Sequence, residues 1–414
     1  MFQITRIPPR KAWFPILAAL LPVCASAQDF TMRVTDPNPL GLGVFVPIVP
    51  LLPMGPSIAG GAEGGIKGAF GYGLGVNTTY DSNFNLSEND EESEYYASLT
   101  PWLRYVSDPE GGAPVSLIAN YSPSINAYLE NSDLNEVNHS ADVALSFTGS
   151  RTNASLFGSY NQIAGSDRLT NSFVTGSLFS GGLQANRQIA PRTSLSTSLT
   201  YSKSTYDSGD LEGTGVFTGY AGGMWDATSR LGLGTSLRYT RGDSDNSGVF
   251  EAWALLAEGR FRASERIWLS ASVGPEISSD SGSDNNLSIA VDITARYLIN
   301  ERWSWTNSMR TATVSAPDEA GYVVNNYFFN TGLQRQFNTG AMSTGLEYNF
   351  SEYETVGDIT GSRDDEQNLA LFLAYYRPLF SERLGFNSMI RYTLNDGERD
   401  WKQLMVSLGV NVSF

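Results

Sequence analysis

Apolar and polar residues alternate with a period of two through most of this chain. At its end Leu404, Val406, Leu408, Val410, Val412 and Phe414 alternate with Met405, Ser407, Gly409, Asn411 and Ser413. Such a period marks a β-strand with one apolar and one polar face. It begins near Lys67, where Phe70, Tyr72, Leu74 and Val76 alternate with Gly71, Gly73, Gly75 and Asn77. After this first strand, the pattern predicts strands at 95–106, 114–127, 138–148, 153–162, 173–188, 193–204, 214–226, 230–241 and 248–261. It continues at 266–277, 286–298, 303–314, 322–335, 341–352, 367–377, 384–394 and 401–414, eighteen strands in all. About 9–11 residues cross a bilayer at a tilt of about 45°, and most of these strands are longer.

The connections alternate in length and charge. Acidic stretches such as DSNFNLSENDEESE (81–94) and ETVGDITGSRDDE (354–366) follow odd-numbered strands, whereas short turns with arginine, such as IAPR (189–192) and INER (299–302), follow even-numbered ones. That asymmetry predicts an all-β fold: a transmembrane antiparallel up-and-down β-barrel of about 18 strands with both termini periplasmic. Tyrosine recurs once per hairpin. Tyr80, Tyr121, Tyr160, Tyr201 and Tyr239 are spaced 41, 39, 41 and 38 residues apart, and Tyr348 and Tyr392 repeat the placement. Rings at that period suit an outer aromatic girdle at the lipid headgroups, with Trp303 and Trp305 expected in an inner one.

The segment YDSNFNLSENDEESEYYASLTPWLRYVSD (80–108) resembles the opening hairpin of the β-barrel porin 2 family. The final Phe414 resembles the C-terminal signal that the assembly machinery reads on Gram-negative outer-membrane barrels. The family resemblance, extended over residues 67–414, implies an outer-membrane location and a pore or secretion role. Some members are associated with exopolysaccharide production and export. It supplies no catalytic residues.

Composition changes the picture at the N-terminus. Arg6, Arg10 and Lys11, the apolar run Trp13–Val23, and Ala25-Ser26-Ala27 form an export signal expected to be cleaved after Ala27. The only cysteine, Cys24, lies within it, so the mature chain would carry no disulfide. Residues 28–66 are apolar but broken by Pro39, Pro47, Pro50, Pro53 and Pro56, which suits a periplasmic lead-in or a plug rather than strand. Without the three basic residues of the signal, 24 basic residues stand against 43 acidic ones, a balance of −19. Such acidity argues against nucleic-acid partners. The expected partners are outer-membrane lipid and lipopolysaccharide, the assembly machinery, and small solutes or polysaccharide.

Candidate chemistry is sparse. His139 is the only histidine, and its neighbours Ser140 and Asp142 alternate to the opposite face, which leaves no serine–histidine pair. One histidine and one cysteine do not make a metal site of that type, and no cofactor is expected. The segment from Asp243 to Gly248 begins like a calcium loop but has Ala254 at the twelfth position, so it reads as a tight turn. If Leu, Val and Tyr face lipid, the other parity lines a lumen with Arg104, Asp142, Arg238, Glu276, Asp292, Arg296, Arg310, Glu347 and Arg391. Those charges could set a transverse field at a constriction or brace the wall as ion pairs. The expected function is a passive porin for small hydrophilic solutes, not an enzyme. A polysaccharide conduit and a closed structural barrel are the alternatives.

Overall fold

The computed structural model describes residues 68–414 except 109–112, 168–171, 208–210, 212, 245–247, 281–285, 316–321, 356–363, 381–382 and 398–399. The export signal, Cys24 and the Pro-rich segment 28–66 lie outside the described residues.

Among the described residues twenty strands form one sheet. They are β1 (Ala69–Asp81), β2 (Glu94–Val106), β3 (Val115–Tyr121), β4 (Ser124–Tyr128), β5 (Glu136–Asn138), β6 (Ser140–Thr148), β7 (Thr152–Asp167), β8 (Ser172–Ala190), β9 (Thr193–Tyr206) and β10 (Thr214–Asp226). The second half comprises β11 (Leu231–Ser244), β12 (Gly248–Ser264), β13 (Ile267–Asp280), β14 (Asn286–Asn300), β15 (Trp303–Ser315), β16 (Tyr322–Phe337), β17 (Gly340–Thr355), β18 (Glu366–Pro378), β19 (Leu384–Asp396) and β20 (Trp401–Ser413). All pairings are antiparallel, and β20 closes on β1 from Gly73 opposite Ser413 to Asp81 opposite Met405.

Two predicted strands are each cut in two. Between β3 and β4 stands Pro123, which has no N–H for the ladder. The register against β2 continues across it, with Tyr121 opposite Leu103 and Ile125 opposite Leu99. Between β5 and β6 the His139 backbone N–H donates to the side-chain carbonyl of Gln162 on β7 at 2.8 Å instead of to a backbone carbonyl. Counting β3–β4 and β5–β6 as one stave each, the barrel has eighteen.

Several strands run past their predicted ends: β7 to Asp167, β11 to Ser244 and β13 to Asp280. Backbone pairing continues through Gly242-Asp243-Ser244 on β11 and Ser278-Ser279-Asp280 on β13, so there the apolar alternation fades before the hydrogen bonds do. The long connections lie at one end of the barrel, here the loop end. The short ones lie at the other, the turn end, together with Ala69 and Phe414. Gly340 opens β17 at φ +119°, a backbone that L side chains rarely adopt, as the connection of residues 338–339 requires.

A single-layer wall has nothing outside it to cover a side chain, so burial separates its faces. On β20 Leu408 and Val410 are 50% and 41% exposed, whereas inward Gln403 and Asn411 are 7% and 8% exposed. The same parity runs stave by stave: Leu, Val, Ile, Phe and Tyr predominate outward and Ser, Thr, Asn, Arg, Glu and Gly inward, with inward apolar exceptions mainly near the loop end. Outward charges among the described strand residues are Arg187, Lys203, Arg241, Asp243, Glu251, Arg335, Glu352, Arg377, Asp396 and Lys402. Each stands in the last four positions at one strand end or the other, which leaves a charge-free apolar belt between two polar rims.

Candidate functional site

The candidate site is the lumen. All nine predicted lining residues (Arg104, Asp142, Arg238, Glu276, Asp292, Arg296, Arg310, Glu347 and Arg391) occupy the inward parity. Four of them form two ion pairs. Arg238 on β11 donates from Nη2 to Glu276 Oε2 on β13 at 2.7 Å, and Arg391 on β19 does the same to Glu347 on β17 at 2.7 Å. Each pair bridges one intervening strand of the same wall, so these four brace the wall and do not face each other across the opening. Asp292 stands opposite Arg310 in the β14–β15 register. Arg310 and Arg296 lie over inward aromatic rings, Phe328 and Trp268, at 5.3 and 5.4 Å. Arg104 lies in register with Asn120, whose amide donates to Asp142 at 2.7 Å.

The same parity holds a third pair outside the expected set. Arg260 on β12 donates to Asp226 on β10 at 2.6 Å. Beside it Glu258 accepts from the Tyr220 and Ser236 hydroxyls, each at 2.7 Å. The apolar-out rule alone would have selected all three residues.

Charge is uneven around the wall. The arc from β10 to β15 carries most of the inward arginines, whereas the inward carboxylates are spread around the wall. Inward β9 is a hydroxyl track of Ser194, Ser196, Ser198, Thr200, Ser202 and Ser204. From β16 through β20 to β1 the wall is largely amide. Asn411 donates to Asn387 at 2.8 Å, Asn387 to Asn77 at 3.1 Å, and Ser351 to Asn326 at 2.7 Å. Linked amides and hydroxyls satisfy one another and leave little net field on that side.

The lumen also differs along its axis. Inward residues of the loop-end half are mostly buried, including Tyr128, Val174, Leu178, Val216, Phe250, Val324 and Trp401. Val174, Leu178 and Val216 form one apolar cluster, joined by Tyr206 and Leu211. Towards the turn end inward side chains are mostly half-buried or exposed, as on β12 to β15. The opening is therefore packed at the loop end and roomier at the turn end.

The seven candidate girdle tyrosines (Tyr80, Tyr121, Tyr160, Tyr201, Tyr239, Tyr348 and Tyr392) share the outward parity, and all but Tyr121 stand in the loop-end half of their strands; Tyr121 lies midway along its stave, in register through Leu103 with Tyr72. Several have ring partners: Tyr80 with Tyr95 at 4.6 Å and Tyr239 with Trp253 at 4.5 Å. His139 joins this row, stacked on Tyr121 at 6.0 Å with its Nδ1 2.7 Å from the phenol oxygen. It lies on the outward face with no nucleophile beside it. At the turn end Tyr72 stacks on Phe414 at 5.5 Å, and the Phe414 N–H donates to the Tyr72 carbonyl at 2.8 Å. Trp303 lies at the same end, under the guanidinium of Arg335 at 5.0 Å. Among the described residues no cluster of three His, Cys, Asp or Glu side chains is placed to hold a metal ion.

No protein-family model matches the chain, and no curated protein matches it in sequence. Among solved structures, Pseudomonas aeruginosa OpdQ is similar over 83% of this chain and 98% of its own, at 11% identity and a TM-score of 0.44. The outer membrane protein OpdK from Pseudomonas aeruginosa covers 83% of this chain and 99% of its own, at 11% identity and a TM-score of 0.44. Acinetobacter baumannii OccAB4 covers 83% and 98%, at 9% identity and a TM-score of 0.45.

Proposed function

We propose that this protein is an outer-membrane channel through which small hydrophilic solutes diffuse. One observation carries the reading: a closed eighteen-stave sheet whose outward face is a charge-free apolar belt and whose inward face is hydroxyl, amide, guanidinium and carboxylate. A soluble barrel would place those faces the other way round. Barrels of about this strand number leave room for water inside unless something fills them. In this reading the loop end faces outward, the turn end and both termini face the periplasm, and residues 1–27 are the export signal. The tyrosine row meets the headgroups of lipid and lipopolysaccharide. The solutes are small and uncharged or weakly cationic, and the chemistry is passage, without a reaction.

Two other readings have some support. The likeness of residues 80–108 to the β-barrel porin 2 family favours a polysaccharide conduit, and the hydroxyl track on β9 suits a sugar chain. The packed loop end favours a closed barrel, with residues 28–66 as a lead-in or plug. Conductance of the purified mature protein in planar bilayers, with and without residues 28–66, separates these. Steady ohmic steps with uptake of small sugars into liposomes are expected. Current that appears only after truncation means a plugged barrel, and block by long but not short glycans means a conduit. Silence from both forms overturns the channel.

A further inference from the structure

The connection between β1 and β2, residues 82–93, does not stand up from the rim. Asn83, Phe84 and Leu86 are buried although they belong to a loop rich in polar residues. The Phe84 ring lies 5.5 Å from Tyr128 on β4 and 4.7 Å from Phe173 on β8. Tyr128 also meets Tyr96 on β2 at 5.2 Å. β4 and β8 belong to the third and sixth staves, and this loop springs from the first. Neighbouring staves are about 4.8 Å apart along the wall. Tyr96 and Tyr128 have the inward parity of their strands, whereas Phe173 has the outward parity of β8. It stands on the tip of the β7–β8 hairpin, beyond the last pairings with β6 (Ser140 opposite Asn161) and β9 (Gly176 opposite Tyr206), and this tip bends in over the opening to bring its ring to Phe84.

The loop is held in that position. Asn83 Nδ2 donates to the Ser87 carbonyl at 2.8 Å and to the Lys402 carbonyl on β20 at 3.1 Å. The Phe84 N–H donates to the Glu92 carbonyl at 2.7 Å. Gln403 Nε2 donates to Asp81 Oδ2 at 2.8 Å, and the Asn83 N–H donates to Asp81 Oδ1 at 3.0 Å. At its far root the Glu94 carboxylate accepts from the Leu129, Glu130 and Asn131 N–H groups at 3.0, 3.1 and 2.9 Å, which ties the β4–β5 connection to the same point. Leu86 keeps a left-handed φ of 50°, a costly conformation for leucine, with its side chain buried.

We infer that residues 82–93 are a fixed strap across the loop-end mouth, clasped by Phe84 between Tyr128 and Phe173, and that this strap, not the width of the barrel, limits what passes. The inference builds on the channel reading. Phe84 is the positioning residue: it touches no solute but holds the strap over the hole.

The test compares the full chain with Phe84→Ala and with a variant whose residues 84–91 are replaced by two glycines. Folding is checked by heat-modifiable gel migration. Read-outs are single-channel conductance, the largest neutral polymer that enters the channel, and thiol labelling. Ser98→Cys places a thiol on inward β2, beyond Tyr96 from the mouth, and the parent chain without it is the control. Replacing the strap should raise conductance at least twofold, admit larger polymers and speed labelling by a polymer-linked maleimide added from the loop side. Phe84→Ala should fall between, with noisier current. A folded strap-replacement variant with the parent's conductance, size limit and labelling rate overturns the strap. If no form conducts, the channel reading falls, and labelling at position 98 still decides: faster labelling upholds the strap and unchanged labelling removes it.

Discussion

At the scale of single residues, the inward ion pairs invite the sharpest test. Arg238 and Glu276 meet in a wall where Glu276 is nearly fully buried, and Arg238 Nε has no partner of its own among the described residues. Taking one charge from such a pair leaves the other desolvated, at a cost of about 1–3 kcal/mol. Glu276→Leu should therefore lower the thermal stability of the folded barrel in detergent, read by loss of heat-modifiable migration. Arg238→Met together with Glu276→Leu should recover most of it, because two apolar neighbours strand no charge. If the double variant is as unstable as the single one, the pair is not the reason these residues stand there. The Tyr121–His139 stack is different: both rings lie on the outward face, and a change there should leave conductance as it was.

At the scale of a strand, everything depends on which parity faces lipid. Leu199 and Ser198 are neighbours near the middle of β9, the first outward and half-exposed, the second inward. Arginine at a lipid-facing midplane position costs about 2–4 kcal/mol. Leu199→Arg should impair folding into liposomes by about that amount. Ser198→Arg should fold normally and lower conductance by narrowing the lumen. In a water-soluble barrel Leu199→Arg would be harmless, so equal folding of the two variants would overturn the membrane reading.

The same alternation explains why the strands were legible in the sequence. A repeat of two survives on every stave because lipid and water lie on opposite sides of a one-residue-thick wall. It placed β10 at Thr214–Asp226, and the nine candidate lumen residues share the parity opposite the exposed apolar side chains. It did not show that Arg238 reaches over β12 to Glu276, because partners two strands apart depend on register, which alternation leaves open. The break at Pro123 was visible as a residue that cannot donate but was hidden by unbroken apolar spacing on either side. Phe84 gave no signal, since one aromatic in an acidic loop looks the same whether it points to water or to Tyr128.

For the molecule as a whole, the charge balance of the lumen sets the expected selectivity. Both described lysines, Lys203 and Lys402, face outward at strand ends, so inward positive charge comes from arginine alone among the described residues. Several of those arginines are already paired, as Arg238, Arg260 and Arg391 are. Inward carboxylates also include Asp81, Glu94, Glu136 and Glu366 near the loop end, and the strap adds Glu88, Asp90, Glu91 and Glu92, all exposed. Among the described residues, a solute entering from that side meets these carboxylates before it meets an inward arginine. In a salt gradient the channel should therefore prefer potassium to chloride by a few-fold at low ionic strength. The preference should shrink as salt rises, because screening acts within about 10 Å at 0.1 M and about 3 Å at 1 M. Reversal potentials at the two salt levels measure it. Neutralising Glu88, Asp90, Glu91 and Glu92 together should remove most of the preference while leaving the size limit intact, since the clasp rests on Phe84 and the carboxylates on the exposed side of the strap. Anion preference in the parent, or a preference indifferent to salt, would mean that arginines deeper in the lumen dominate the path.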